Sequence, residues 1–168
     1  VFLSRKPLLV ICNRPEEKAG VPLESEYLEE LTRRGLQGLP LAGKVEMEIA
    51  QLEENDRAAF LQEIGIAEPA RERFIRASYA LMDLISFFTT GEDEVRAWTI
   101  AQGTVARKAA GRIHSDIERG FIRAEVVAYD DFIAHGSEGK CKEAGKFRLE
   151  GKEYVVKDAD IIHFRFAV

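Results

Sequence analysis

The sequence predicts a chain of mixed class: a truncated parallel α/β layer, then a run of helices, then a small α+β unit. Three observations carry this. Residues 8–52 alternate short apolar runs with segments of helical period, the order of a parallel sheet with helices packed on it. Residues 55–82 keep the helical period without a strand between them. From Leu84 onward, β-branched and aromatic residues cluster in short alternating runs, with one helical segment between them.

The elements follow in order. Leu8–Cys12 is a continuous apolar run, as in a strand covered on both faces, and Asn13-Arg14-Pro15-Glu16 breaks it. Glu24–Arg34 places Tyr27, Leu28 and Leu31 at helical spacing and stops at Gly35. Leu39–Leu41 is a second short strand. The next helix has Val45, Ile49 and Leu52 on one face and glutamates elsewhere. Asn55 or Asp56 is expected to cap a third helix that ends at Gly65. Pro69 suits the first turn of a fourth, with Phe74, Ile75, Ser78, Leu81 and Met82 inward. ISFFTT and VRAWTI form a hairpin about GEDE. Thr104 is expected to cap a helix reaching Ile113 or Ile117. Glu125–Tyr129 is a further strand, and Lys146–Val156 folds back about Glu150-Gly151-Lys152. The last strand, Ile161–Phe166, alternates Ile162, Phe164 and Phe166 against Ile161, His163 and Arg165.

Composition sets the bounds. With 46% hydrophobic and 32% charged residues over 168 positions, the chain is an ordinary globular protein able to bury a core. No apolar run approaches the roughly 20 residues that span a bilayer, and no secretory signal is visible, so no membrane partner is expected. Cys12 and Cys141 lie too far apart for a zinc spacing, and His114, His135 and His163 are scattered, so no metal site is expected; a reducing cytoplasm is the default. The opening strand, so close to Val1, reads as part of something longer. The net charge of -5 is unevenly spread. Arg107, Lys108, Arg112, Arg119 and Arg123 face only Asp116 and Glu118 between positions 104 and 123. Such a locally basic surface can meet RNA on an acidic protein; equally, Arg119 and Arg123 can pair with Asp116, Glu118 or Glu125 and be a solvated face.

Beyond these patterns, FFTTGEDEVRAWTIAQGTVARKAAGRIHSDIERGFIRAEV and GKFRLEGKEYVVKDADIIHFRF closely resemble the C-terminal end of the YchF family of Obg-like ATPases. PLAGKVEMEIAQL and FLQEIGIAEPARERFIRASYALMDLISFFT resemble the end of that family's nucleotide domain and the helices that follow it. The resemblance implies residues 1–54 as the remnant of a P-loop NTPase domain and 55–83 as a helical connector. Residues 84–168 would be a TGS domain, a ubiquitin-like β-grasp module. Two positions depart from the family: Arg107 stands where proline is usual, and Ala159 where glycine is usual in the turn before the last strand.

The resemblance also implies sites. Asn13-Arg14-Pro15-Glu16 stands where guanine-specific GTPases carry Asn-Lys-x-Asp, whose carboxylate accepts from the guanine N1–H and amino group. It is similar to the Asn-x-x-Glu variant of this family, which goes with loss of guanine selectivity and use of ATP. Asn13 would contact the base, Glu16 would act in selectivity, and Arg14 replaces the lysine whose stem packs on the ring. Ala42-Gly43-Lys44 aligns with the loop whose backbone N–H groups meet a base carbonyl. ATP or GTP with Mg²⁺ is the implied cofactor of the intact protein. The sequence contains no G-x-x-x-x-G-K-[ST] and no Asp-x-x-Gly after a strand, so these residues alone are expected neither to hydrolyse nucleotide nor to bind it tightly. His114 and Asp116 lack a nucleophile and read as structural.

The implied partner is the ribosome or ribosomal RNA, and DNA is not expected. Arg107, Lys108 and Arg112 on the helix, with Lys152 in the Glu150-Gly151-Lys152 segment, are the residues expected to meet phosphates. Ala110 and Gly111 are expected to let the helix approach the sheet, Gly120 to make a tight exit, and Phe121 and Ile122 to return to the core. The competing reading is a stand-alone RNA- or ribosome-binding module with no nucleotide chemistry.

Overall fold

The computed structural model describes residues 6–91 and 94–167. Two compact units divide between Met82 and Asp83. The first therefore takes in both the expected nucleotide-domain segment and nearly all of the expected helical connector.

In the first unit, β1 (Leu9–Asn13) and β2 (Gln37–Leu41) pair in parallel, from Leu9 opposite Gln37 to Asn13 opposite Leu41. The connection runs through a 3-10 turn (Glu16–Lys18) and α1 (Ser25–Arg33), which closes at Gly35 in the left-handed region, φ +65°. Leu31 of α1 lies over Gly38: a Cβ at that position would stand 2.5 Å from Leu31 Cδ1. Among the described residues this layer has two strands, as the truncated α/β expectation required, and Leu8 and Ile11 are exposed in it.

α2 (Gly43–Gln51) and α3 (Glu54–Glu63) share a core in which Ala42, Val45, Ile49 and Ile66 meet Phe60, Leu61 and Ile64. The cap of α3 is Glu53, not Asn55 or Asp56. α4 (Ala70–Leu81) begins after Pro69, which holds the N-cap, and Glu46 of α2 takes the Ala70 N–H on Oε2 at 2.7 Å. Arg73 donates to the Pro40 carbonyl (3.0 Å) and to Glu46 (3.3 Å). That polar contact sets the rotation of α4 and turns Phe74 and Ile75 outward; Met82, just past its end, is exposed too, contrary to the inward face expected.

The second unit is a mixed five-stranded sheet in the order β4-β3-β7-β5-β6, and a sheet with helices packed on it is what the α+β expectation required. β3 (Leu84–Thr90) and β4 (Val95–Ala101) form the expected antiparallel hairpin; Glu92 and Asp93 of its turn lie outside the described residues. β7 (Asp160–Phe166) runs parallel to β3 and antiparallel to β5 (Phe121–Ala128), which also pairs with β6 (Arg148–Glu150). α5 (Ala106–Ile113) packs on one face. Ala106 and Ala109, fully buried, let it approach Phe87, Ala124, Val126 and Ile162. Phe87 is itself wholly buried, worth roughly 2–3 kcal/mol by area removed from water.

Several local expectations give way here. The N-cap of α5 is Val105, while the Thr104 hydroxyl donates back to the Ala101 carbonyl at 2.6 Å. The helix does not run on to Ile117. His114 adopts extended backbone and its Nδ1 accepts the Asp116 N–H at 3.1 Å, starting a separate α6 (Ser115–Arg119). The 146–156 segment is no full hairpin: β6 has three residues, and Val155 makes an isolated bridge to Val105. Ile161 is buried beside Ile162, and Phe166 is exposed at the strand end. Unforeseen are α7 (Tyr129–His135) and α8 (Glu138–Glu143), which lie toward the other sheet face. There Tyr129 meets Phe88 and buried Cys141 donates to the Asp131 carbonyl.

Candidate functional site

Parallel pairing brings the ends of β1 and β2 to one edge of the first unit. The Arg14 N–H donates to the Leu41 carbonyl at 2.9 Å, so the two exiting loops leave side by side. Asn13 Oδ1 accepts the Gly43 N–H at 3.0 Å, joining the loop after β1 to the first turn of α2. Glycine suits that contact, because a Cβ at position 43 would stand 3.2 Å from the same oxygen. The bond fixes the amide of Asn13 with Oδ1 inward, and its Nδ2 has no partner among the described residues. Ala42 is buried under this junction.

Glu16, in the 3-10 turn, reaches Lys44 Nζ at 3.2 Å, with Glu48 at 4.0 Å from the same nitrogen. The hydrogen bond that Lys44 donates to Glu16 is the main cause that raises the Lys44 pKa. Arg14 is placed differently from its neighbours. Its guanidinium donates to the carbonyls of Val21 (2.9 Å) and Pro22 (3.0 Å) and to Glu24 Oε1 (2.9 Å), with Lys18 on that same carboxylate oxygen at 2.6 Å. Arg14 thus folds the 15–24 loop back on the end of β1. Nothing in the spacing of Asn-Arg-Pro-Glu signals this, because two of the three acceptors are backbone carbonyls.

On the second unit the basic residues divide. Lys108 pairs with Glu118 at 2.6 Å, the leading cause that lowers the Glu118 pKa. Arg107 Nε donates to the Glu118 carbonyl at 3.2 Å. Arg119 pairs with Asp116, and Arg123 stands 3.8 Å from Glu125. These are the local pairs that the solvated-face reading expected. Arg112 and the Lys152 ammonium have no hydrogen-bond or ion-pair partner among the described residues. The Lys152 carbonyl accepts the Arg107 N–H at 3.4 Å, so Lys152 does lie beside the start of α5. Gly111 faces Glu118 rather than the sheet. His114 and Asp116 serve the α6 cap. Among the described residues no three His, Cys, Asp or Glu side chains converge as metal ligands, and no helix is long and apolar enough to cross a membrane.

The family model YchF-GTPase_C, described as a protein of unknown function (DUF933), matches residues 84–167. The chain is 48% identical over 168 residues to the "Ribosome-binding ATPase YchF" of Haemophilus influenzae, covering 99% of this chain and 46% of that one. It is 48% identical over 171 residues to the protein of the same name from Bacillus subtilis, covering 99% and 47%. The solved structure of the Schizosaccharomyces pombe YchF GTPase is similar with a TM-score of 0.83 and 31% identity, covering 97% of this chain and 44% of that one. The chain spans about half the length of the curated relatives it matches. The chain therefore belongs to the YchF family, and it corresponds to the family's C-terminal part.

Proposed function

We propose that this chain is the C-terminal portion of a ribosome-associated, cytoplasmic nucleotide-binding protein that binds and hydrolyses ATP or GTP when intact. The observation that carries the reading is the bond between Asn13 Oδ1 and the Gly43 N–H. It joins, at the ends of two parallel strands, the two loops that the family resemblance assigns to the base. A base edge is met by hydrogen bonds and excluded water, and the groups here fit that task. The Asn13 Nδ2 donor faces acceptors on the base, and the Lys44 backbone N–H, in the first turn of α2, is a second donor. Glu16, held by Lys44, sits where a carboxylate would discriminate between purines. Arg14 braces the loop that carries Glu16 rather than stacking on the ring. ATP or GTP with Mg²⁺ would supply the transferable phosphoryl group. Phosphate and metal ligands are expected from residues other than these.

The second unit is read as a TGS domain of β-grasp type, docking on the ribosome through Arg107, Lys108, Arg112 and Lys152. Arg112 and Lys152 carry most of this, since their charges are not matched locally. One observation favours the competing module reading: residues 83–168 close their own core.

Calorimetric titration with ATP and GTP tests the first reading, using the protein that carries this chain with the family's preceding nucleotide domain. Asn13→Ala should weaken both nucleotides by about tenfold or more, the loss of one buried hydrogen bond with its partner left unpaired. An unchanged affinity would reject the base site. For the second unit, Arg107→Glu, Lys108→Glu and Arg112→Glu together should reduce ribosome co-sedimentation and flatten its salt dependence. Ribosome binding by this chain with no nucleotide present would favour the module.

A further inference from the structure

A different group of charges lies on the sheet face turned away from α5. β5 and β7 pair so that Arg123 stands directly opposite Arg165, and Glu125 directly opposite His163. Like charges opposed across two strands destabilise a sheet unless something lies between them. What lies between them is one carboxylate. Glu125, with its side chain 10% exposed, takes Arg165 at 2.9 Å, while Arg123 remains at 3.8 Å, too long for a hydrogen bond. Each guanidinium carries five N–H donors in a fixed fork. One carboxylate leaves most of them unused.

The opposition is built by a specific device. Between Phe121 and Arg123 the register shifts, two residues of β5 advancing against one of β7. Without that bulge, Phe121 and Arg123 would share a face. With it, Phe121 packs into the core against Phe164, Ile122 is the extra exposed residue, and Arg123 is delivered to the outer face.

These residues floor a groove of about 680 Å³, walled by Lys142 of α8 and by Phe147 and Leu149. Its other carboxylate, Glu138, is already engaged by His163 Nε2 at 3.0 Å and the Thr90 hydroxyl at 2.8 Å. Three cations therefore face a cleft in which both carboxylates are committed.

We propose that Arg123 and Arg165 form a binding site for a phosphate group, with Lys142 as a third cation and Phe147 and Leu149 as the apolar wall beside it. Planar, bidentate guanidinium donors suit phosphate oxygens, and two forks with one shared counter-charge leave a net positive site when it is empty of ligand. The site lies on the sheet face opposite the helix that carries Arg107, Lys108 and Arg112, so it does not depend on the docking surface proposed above.

The test titrates this chain with pyrophosphate and, separately, with a short single-stranded oligoribonucleotide, at low salt, by calorimetry. Arg123→Gln is the informative variant, because Arg123 makes no hydrogen bond that the fold would lose; Arg123→Lys keeps the charge and removes the fork. Pyrophosphate affinity should fall about tenfold or more in Arg123→Gln and by less in Arg123→Lys. It should be unchanged when Arg107, Lys108 and Arg112 are reversed. Tighter binding of the oligoribonucleotide, lost in the same variant, would assign the phosphate to a nucleic-acid backbone. Tighter binding of pyrophosphate would assign it to a soluble phosphorylated ligand. No measurable pyrophosphate binding, or equal affinity in the wild type and Arg123→Gln, would overturn the proposal.

Discussion

The Tyr154 hydroxyl donates to Asp160 Oδ2 at 2.7 Å, and around that bond the segment before the last strand is organised. The same oxygen takes the Lys157 N–H at 2.9 Å, and Oδ1 takes Arg148 at 3.3 Å. Arg148 also lies over the Tyr154 ring, 5.2 Å from its centroid. Asp160 is only 2% exposed, so its charge is tolerated because all three donors converge on it. Asp160→Ala should lower the unfolding free energy by about 2–4 kcal/mol, since it leaves the Tyr154 O–H and the Lys157 N–H without their acceptor and removes one of the two carboxylates that pair with Arg148, the other being Glu150 at 3.2 Å. Asp160→Asn, which keeps an acceptor, should cost less. Urea denaturation of the three proteins measures both; equal stability of Asp160→Ala and wild type would remove Asp160 from this role.

The same bond makes a pH prediction. Burial, and then donation to Asp160, push the Tyr154 pKa up to about 12 from an ordinary value near 10. The folded state thus favours the protonated phenol. Its contribution is fully present below pH ~10, the unfolded value, and is lost as pH rises from there through the folded value. Absorbance titration of the phenolates should find one of the four tyrosines ionising late, in step with loss of native signal. Tyr154→Phe should abolish that late step; its persistence in the variant would assign it elsewhere.

Much of this architecture is written in local chemistry. The apolar runs of β1 and β2, the stop at Gly35 and the β-branched and aromatic content of β3 and β4 are short-range signals that tertiary contacts reinforce. α7 and α8 were hidden for the opposite reason. YDDFIAHGSEGKCKE carries Gly136 and Gly139 and few apolar residues, and its helices are ordered by contacts such as Tyr129 to Phe88 and Glu138 to His163. Ile122 reads as a core residue until the bulge turns it out, and a bulge is a property of two strands together. The candidate base site divides the same way. Asn13, Glu16 and Ala42–Lys44 are visible as motif positions. The brace formed by Arg14 is not, because it depends on where the carbonyls of Val21 and Pro22 come to lie.

Gly111 and Gly120 are both closely approached, yet their substitution should have unequal effects. A Cβ at Gly120 would stand 1.8 Å from the backbone carbonyl oxygen of Ala167, which is tied in turn by the Ala167 N–H to the Gly120 carbonyl at 3.0 Å. Backbone cannot rotate away, so Gly120→Ala should destabilise by about 1–3 kcal/mol, the usual range for overpacking. A Cβ at Gly111 would instead meet the Glu118 carboxylate at 2.2 Å, the end of a flexible side chain. Displacing it releases Lys108 and costs little at an exposed pair, while alanine gains up to about 1 kcal/mol of helix propensity over glycine. Gly111→Ala should therefore be near neutral. Thermal unfolding of the two variants decides; a Gly111→Ala loss as large as that of Gly120→Ala would mean that the Lys108–Glu118 pair contributes more than its exposure suggests.

Ala159 holds φ at +61°, in the left-handed region that disfavours a Cβ, and its N–H donates to the Ser86 carbonyl at 2.7 Å. That bond joins the turn before β7 to β3, so the backbone there is fixed by the sheet and the residue must accept the conformation it is given. A non-glycine residue in this region costs about 1–2 kcal/mol. Glycine removes that strain but returns about 0.4–1 kcal/mol of conformational freedom to the unfolded chain. Ala159→Gly should accordingly stabilise the protein by about 0.5–1 kcal/mol, a rise of roughly 3–6 °C in the melting temperature for a unit of this size. Ala159→Val should move the other way, because a branched Cβ tolerates the left-handed region least. Calorimetric scans of both variants test the pair. A lower melting temperature for Ala159→Gly would mean that the positive φ carries no strain here, and that the methyl group of Ala159, half-buried in the turn, contributes packing that outweighs it.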